Sequence, residues 1–312
     1  MKISVIIATR NRADALEKIS LSSLAKQDFR DFEVIIWDAS DDDKPKIVVE
    51  NFIQSHPGII VRYFKAPRVG LASQRNDAVK VARGDIIFFI DDDCEVSSDG
   101  LSALNEGFKD QTTYGGGLKL IPKNGKLSFK KKIDNLYRII FRLPHGSKKR
   151  KVMLSGWNIW PLNNDSPGEA EWLTGCSMSF RKEIFDKFHF EEKLQKFGGY
   201  ALAEDVQFSH RLVRNKLKLM VFEKGYVVHH PIEGGRLQNE KAFAARIYNP
   251  FIVWKTCIFI YNRFSIFVYL WSLIGELTGY FIIGMFINNK NILKGILIGM
   301  QAITKEIFDK NK

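Results

Sequence analysis

Over the first ninety residues, short apolar runs alternate with stretches whose apolar residues recur every three or four positions. Residues 3–8, 32–37, 59–64 and 86–90 are rich in β-branched and aromatic side chains, the pattern of strands buried on both faces. Between them, residues 13–25, 44–55 and 71–82 carry helical spacing. This rhythm predicts an α/β fold with a right-handed, mainly parallel sheet flanked by helices. It breaks between Thr113 and Pro167. There Gly115-Gly116-Gly117 leads into a strand-like piece, and Leu136, Tyr137, Ile139, Ile140 and Phe141 follow, embedded in basic residues. Trp157, Trp160, Pro161 and Pro167 then lie in a loop-like stretch. Regular signals resume over 170–180. Helices are expected around 181–187 and over 202–215, and strands over 217–222 and 226–230.

From Ala242 onward the pattern changes again. Residues 264–287 carry a single charge, Glu276, and are long enough to cross a bilayer core of about 30 Å as a helix. Arg263 and Lys290 flank them. A carboxylate near the centre is costly in lipid, so it calls for a partner, a tilted interfacial pose or a re-entrant hairpin. Residues 292–303 form a shorter apolar segment. The competing reading is a soluble helical hairpin packed on the domain or in a dimer. The expected organisation is therefore an α/β domain over 1–240, with a basic insert at about 119–165, and hydrophobic, membrane-associating helices over 241–312.

Composition sharpens two points. With 45% hydrophobic residues in 312, the chain can bury a sizeable core. Its net charge of +12 is concentrated: between Lys119 and Lys151 twelve Lys and Arg face one acid, Asp134. Such a cluster attracts anionic lipid headgroups, phosphorylated substrates or nucleic acid, unless it is only a solvated loop. Cys94, Cys176 and Cys257 are odd in number and widely spaced, which gives neither a disulfide framework nor a zinc site and suits a reducing, cytosolic environment. The apolar run after Met1-Lys2 is too short for a secretory signal and is expected to be the first strand.

The chemistry concentrates where the fourth apolar run stops on Asp91, Asp92 and Asp93. Carboxylates at a strand's C-terminal end occupy the edge where open α/β sheets bind ligands. Oxygen-only donors there suit Mg²⁺ or Mn²⁺ bound with a phosphate-bearing substrate, and a solvated acidic turn is the plainer alternative. Thr9, Arg10 and Arg12 follow the first strand, Asp38 follows the second, and Arg75 opens the third helix, so a parallel sheet gathers them on the same edge. Arg10, Arg12 and Arg75 suit phosphate, and Asp38 suits a base N–H. Glu204 and Asp205 begin a further helix, as a cap or as a general base, with Gly198-Gly199-Tyr200 as a flexible approach.

Taken in order, these segments resemble glycosyltransferase family 2. The resemblance rests on Ser4-Val-Ile-Ile-Ala-Thr-Arg-Asn-Arg, Asp38, Gly70-Leu-Ala-Ser-Gln-Arg-Asn-Asp and Gly84-Asp-Ile-Ile-Phe-Phe-Ile-Asp-Asp-Asp. Trp172-Leu-Thr-Gly-Cys-Ser-Met-Ser-Phe-Arg and Glu204-Asp205-Val-Gln-Phe-Ser-His-Arg-Leu complete it, over about residues 1–235. It implies a GT-A fold, a nucleotide-sugar donor, a divalent metal (Mg²⁺ or Mn²⁺) and inversion at the anomeric carbon. By position, Ala8 and Thr9 would line the nucleotide, Asp38 would bind the base and Arg75 would contact phosphate or base. Asp92 would hold ribose or sugar, Asp93 the metal and Asp205 the acceptor proton, with Glu204 beside it. Gly175, Cys176 and Ser177 would floor the acceptor cleft, Asp91 would serve position, and His230 would approach the diphosphate or the metal. Two features depart from the family pattern. Arg10 stands where many members carry an aromatic residue, so a guanidinium would stack on the base. The basic insert matches no family motif.

A dinucleotide-binding dehydrogenase is excluded because no Gly-x-Gly-x-x-Gly follows the first strand. A basic membrane- or nucleic-acid-binding protein on a noncatalytic scaffold remains as the alternative. The expected acceptor is a lipid-linked or surface-polysaccharide precursor at the cytoplasmic face of the cell membrane, with an anionic membrane surface and no nucleic acid as partner.

Overall fold

The computed structural model describes residues 2–122, 131–144, 147, 149–161, 166–232, 238–286 and 289–309. Part of the basic insert and the link between the two last helices therefore lie outside the described residues. β1 (Ile3–Thr9) is followed by α1 (Ala13–Ala15), which runs through a π turn at Leu16–Leu21 into α2 (Ser22–Ala25). Then come β2 (Phe32–Asp38), α3 (Lys44–Ser55), β3 (Ile60–Lys65), α4 (Leu71–Val81) and β4 (Ile86–Asp91). These pair in parallel as β3-β2-β1-β4, as the alternating pattern requires. Strand side chains alternate between two cores. Ile6, Ile35, Ile87 and Phe89 enter one, while Val5, Ile7, Val34, Ile36, Phe88 and Ile90 enter the other.

The second half of the sheet is mixed. β5 (Cys94–Val96), α5 (Gly100–Gly107) and β6 (Thr113–Pro122) precede α6 (Lys131–Ile140), a helix inside what the sequence left as an irregular insert. The short strands β7 (Lys151–Val152), β8 (Asn158–Ile159) and β9 (Gly168–Glu169) lead to β10 (Met178–Arg181), which is antiparallel to both β4 and β6. Within the regular segment expected over 170–180, β10 begins at Met178, and the helix expected around 181–187 is a 3-10 turn, Lys182–Asp186. After α7 (Glu204–Arg214), the two strands expected over 217–222 and 226–230 are one strand, β11 (Lys218–His229), bulged between Val221 and Tyr226. The order is β3-β2-β1-β4-β10-β6-β11-β5.

One connection shapes this sheet. Only Asp92 and Asp93 join β4 to β5, yet β10, β6 and β11 lie between those strands in the order. In a flat sheet four strand spacings amount to about 19 Å. A two-residue link spans at most about 11 Å. The sheet must therefore curl until its far edge returns to the end of β4.

At the opposite end of the strands, Glu33 is fully buried but satisfied. Ser4 Oγ and the Arg83 N–H donate to it at 2.7 Å, and Arg62 at 3.1 Å. The chain passes so close here that a Cβ on Gly84 would lie 2.5 Å from the Ser4 backbone nitrogen.

The C-terminal region adds α8 (Asn239–Trp254), α9 (Ser265–Phe286) and α10 (Lys290–Phe308). α8 is core: Ile247, Tyr248, Phe251 and Ile252 belong to the same apolar cluster as Phe89 and Phe208. Among the described residues α9 is the one helix long and apolar enough to cross a membrane.

Backbone atoms cannot give way around Gly84, whereas a Cβ on Gly58 meets nothing within 4 Å. Gly84→Ala is expected to cost about 1–3 kcal/mol, and Gly58→Ala to be within about 0.5 kcal/mol of neutral, in denaturant melts. Equal effects would contradict the packing described.

Candidate active site

The curl delivers the acidic link to the mouth of a cleft. β11 pairs with β5 so that His229 stands opposite Cys94, beside Asp93. His229 Nε2 lies 3.3 Å from Asp93 Oδ1, and the His230 N–H donates to the Asp93 carbonyl at 2.9 Å. The sequence suggests His230 for the diphosphate or the metal. Its ring meets Glu95 at 2.9 Å, and His229, the last residue of β11, is the one beside Asp93. The signal was available only from the pairing of β11 with β5, which one sequence does not reveal.

Arg12 spans the acidic pair. One guanidinium nitrogen is 3.1 Å from Asp92 Oδ1 and 3.1 Å from Asp93 Oδ2, while Thr9 Oγ1 donates to Asp92 at 2.7 Å. Burial raises Asp92 to about 7 even though Arg12 and Thr9 oppose it. Burial acts on Asp93 too, but the His229 hydrogen bond and the Arg12 charge hold it below the usual carboxylate range. The same hydrogen bond raises His229 against its own burial. Ala8, Thr9, Arg10, Asp91, Gly199 and Tyr200 complete the walls of this half of the cleft. Arg10 is partly exposed and lies 3.5 Å from Asp41. Asp38 sits behind this cavity, fully buried, accepting from Tyr63 Oη at 2.7 Å and the Ser40 N–H at 2.8 Å. A base docking at Asp38 has to share the carboxylate with Tyr63.

A candidate donor set for a divalent ion lies at the end of β11. Ligand atoms of Asp93, Cys94 and His229 lie within 4.8 Å of one another. A carboxylate and an imidazole suit Mn²⁺ or Mg²⁺ completed by water or phosphate oxygens. Burial keeps the Cys94 thiol protonated, so it is a neighbour rather than a ligand. The residues present fit such an ion.

The other half of the cleft is built on α7. Ala203 adopts φ +66° just before it, a left-handed turn uncommon for alanine, and it turns the chain so that Glu204 and Asp205 open the helix at the cleft. Asp205 accepts the Gly175 N–H and its own helix's Val206 N–H, each at 2.8 Å. Glu204 is buried and ion-paired with Arg75. Arg75 also reaches Asp91 at 3.1 Å and the Gly175 carbonyl at 3.2 Å. Burial and the neighbouring Asp205 charge raise Glu204 to about 8 despite Arg75. Asp205 is raised as well, by burial, against its backbone N–H donors and Arg75. Gly175 and Cys176 line this half, with Asn158 and Trp160 on its far wall. Ser177 is fully buried and tied to Leu118 of β6, so its hydroxyl is a strut. Leu71, Asp91, Tyr200 and His229 line both halves, which makes one continuous cleft.

A family model described as "Glycosyl transferase family 2" matches residues 4–161. The chain belongs to glycosyltransferase family 2. Within it, the chain is 36% identical over 129 residues to the GalNAc(5)-diNAcBac-PP-undecaprenol beta-1,3-glucosyltransferase of Campylobacter jejuni, covering 41% of each chain. It is also 33% identical over 103 residues to the poly(ribitol-phosphate) beta-N-acetylglucosaminyltransferase TarS of Staphylococcus aureus, covering 32% of this chain and 18% of that one. The chain thus spans less than half the length of these relatives. A crystal structure of S. aureus TarS 1-349 with UDP-GlcNAc superposes with a TM-score of 0.59 at 19% identity, over 98% of this chain and 83% of that one. The mannosyltransferase PcManGT of Pyrobaculum calidifontis, in complex with GDP-Man and Mn2+, gives 0.56 at 16%, over 99% and 88%. This family 2 chain therefore has the GT-A fold, with a curled, mostly parallel central sheet.

Arg12 sets one guanidinium nitrogen between the Asp92 and Asp93 carboxylates, offsetting part of their charge. Arg12→Gln is expected to lower the melting temperature in chelator and to enlarge the rise produced by Mn²⁺. Identical ion responses in the two proteins would refute a charge-balancing role.

Proposed function

We propose that this chain is an inverting, metal-dependent glycosyltransferase that moves a sugar from a nucleoside-diphosphate sugar to a hydroxyl of a lipid-linked or surface-polysaccharide precursor, at the cytoplasmic face of the cell membrane. The observation that carries the proposal is the single cleft with two differently equipped halves. One half has carboxylates, arginines and His229 suited to a diphosphate and its cation. The other has a carboxylate of raised pKa suited to accepting a proton. The complexes of the two structural neighbours with UDP-GlcNAc and GDP-Man support the donor class. The undecaprenyl diphosphate in the name of the Campylobacter relative supports the acceptor class.

In this mechanism Ala8, Thr9 and Asp38 serve the nucleoside, and Arg10 lies over the base. Arg12 and Arg75 are within reach of diphosphate oxygens, and Asp91 and Asp92 fix those arginines and the donor hydroxyls. Asp93 with His229 would hold a Mg²⁺ or Mn²⁺ ion, which when bound supplies positive charge for the leaving diphosphate. Asp205 takes the acceptor hydroxyl proton as that oxygen forms its bond to the anomeric carbon. The bond from that carbon to the diphosphate oxygen breaks on the opposite side, so configuration inverts. Glu204 keeps Arg75 in place, and burial keeps the Asp205 pKa raised, which strengthens Asp205 as a base. Gly175 and Cys176 support the acceptor, and Tyr200, at the junction of both halves, helps exclude water.

Asp205→Asn is expected to reduce transfer about 10²–10⁴-fold and to leave donor binding nearly unchanged in a thermal-shift titration with nucleotide sugars. Weak donor binding with normal turnover would refute the role of Asp205. Because the base works deprotonated and its pKa is raised, activity should rise with pH along a limb above the ordinary carboxylate range. Glu204→Gln removes the ion-pair partner of Arg75 and leaves that guanidinium freer to lower Asp205, so that limb should move to lower pH in a kcat/KM profile. A limb that stays in place would exclude coupling between the two carboxylates.

A further inference from the structure

α9 has two faces of opposite character. On one, a contact recurs nearly every turn from end to end. Ser265 Oγ accepts from Trp254 Nε1 at 3.0 Å, and the Tyr269 ring stacks on Trp254 with centroids 4.4 Å apart. Ser272 Oγ donates to the Arg142 carbonyl at 3.1 Å. Gly275 and Gly279 leave room for Phe141 and Tyr137, and Gly284 meets Ile292 of α10. Glu276, the costly charge in the apolar stretch, is half-buried here, bonded to Tyr280 and within the fields of Arg138 and Arg246. The other face is apolar and open: Phe267, Leu270, Ile274, Phe281, Met285 and Phe286 are all exposed.

α6 lies against the inward side and widens this surface. The Tyr137 hydroxyl donates to the Gly275 carbonyl, Phe141 stacks on Trp271 at 5.2 Å, and Trp271 Nε1 donates to the Ile140 carbonyl at 2.7 Å. Leu136, Ile139 and Ile140 add exposed apolar area beside it. α6 belongs to the segment with twelve basic residues and one acid, and exposed Arg263 and Lys290 stand at the two ends of α9.

We propose that α6 and α9 form an in-plane docking face for an anionic lipid bilayer, and that α9 does not span it. Crossing the bilayer would strip α9 of every contact on its inward face and put Glu276 in hydrocarbon, a heavy cost. Lying flat keeps those contacts, buries the open apolar face at the headgroup boundary and sets the cations against acidic lipid. A second copy of the chain is a poorer occupant, since a two-fold interface would bring two strongly basic segments together. The inward face of α9 also connects to the cleft. The Trp157 ring stacks on Tyr269 of α9 at 5.9 Å, and the next residues, Asn158 to Trp160, form the far wall of the Asp205 half. A lipid-linked acceptor would then enter from the bilayer side; this last point rests on the function proposed above.

The test uses the full chain and sedimentation with phosphatidylcholine vesicles, with and without phosphatidylglycerol. Binding should require phosphatidylglycerol, weaken in high salt and be reversed by alkaline carbonate. Phe267→Glu with Phe281→Glu should weaken it about tenfold or more, with an unchanged thermal shift from nucleotide sugars as the check on folding. Resistance to carbonate would overturn the proposal in favour of a spanning helix. A double variant that turns a dimer into a monomer, without change in vesicle binding, would overturn it in favour of self-association. Vesicle binding needs no turnover, so a transferase that fails to bind sinks only this inference, and a binder without transferase activity sinks only the function.

Discussion

A two-residue link governs the architecture. Asp92 and Asp93 must carry the chain from a central strand to a strand that ends the sheet order, so the sheet closes on itself around them. Closure brings the end of β11, and with it His229, to the acidic pair. It also puts β10 between β4 and β6, and the turn before β10 supplies Gly175 to the other half of the cleft. The residues assigned to the donor side under the proposed function are thus the same ones whose short link bends the sheet, and the fold cannot relax there without dissolving the cleft.

That geometry concentrates negative charge, and the chain answers with two arginines. Arg12 serves Asp92 and Asp93, and Arg75 serves Asp91, Glu204 and, at longer range, Asp205. Five carboxylates with two guanidiniums leave a deficit of positive charge in a partly dry cleft. The raised pKa values of Asp92, Glu204 and Asp205 express burial first and unbalanced charge second, while Asp93, beside His229, is lowered. In the proposed function, a divalent ion entering with a diphosphate would meet a site already short of cations.

Much of this was legible in the sequence for a simple reason. Parallel strands place all their C-terminal ends on one edge, so Thr9, Asp38 and Asp91–93 could be assembled from strand ends alone. The helix start at Glu204 could be read as well, since an apolar period follows it. What stayed hidden depends on pairing across distance. The choice between His229 and His230 turns on a one-residue register between β11 and β5. Arg12 was legible as a phosphate ligand, but its seat between two aspartates depends on the curl. α6 was obscured because its apolar residues sit among lysines, and its partner, α9, lies more than a hundred residues away. The inward turn of Glu276 has the same origin, since helical period does not say which neighbour a face will meet.

Arg75 ties Asp91, which lines both halves of the cleft, to Glu204 and Gly175 in the second half, and it is almost wholly buried, so it has little freedom to compensate for change on either side. For anyone wishing to retune the protein, the consequence is a shared hinge of selectivity. Under the proposed function, a substitution meant to alter the donor half would disturb the groups of the acceptor half, and the reverse holds equally. The two preferences must drift together or be redesigned together.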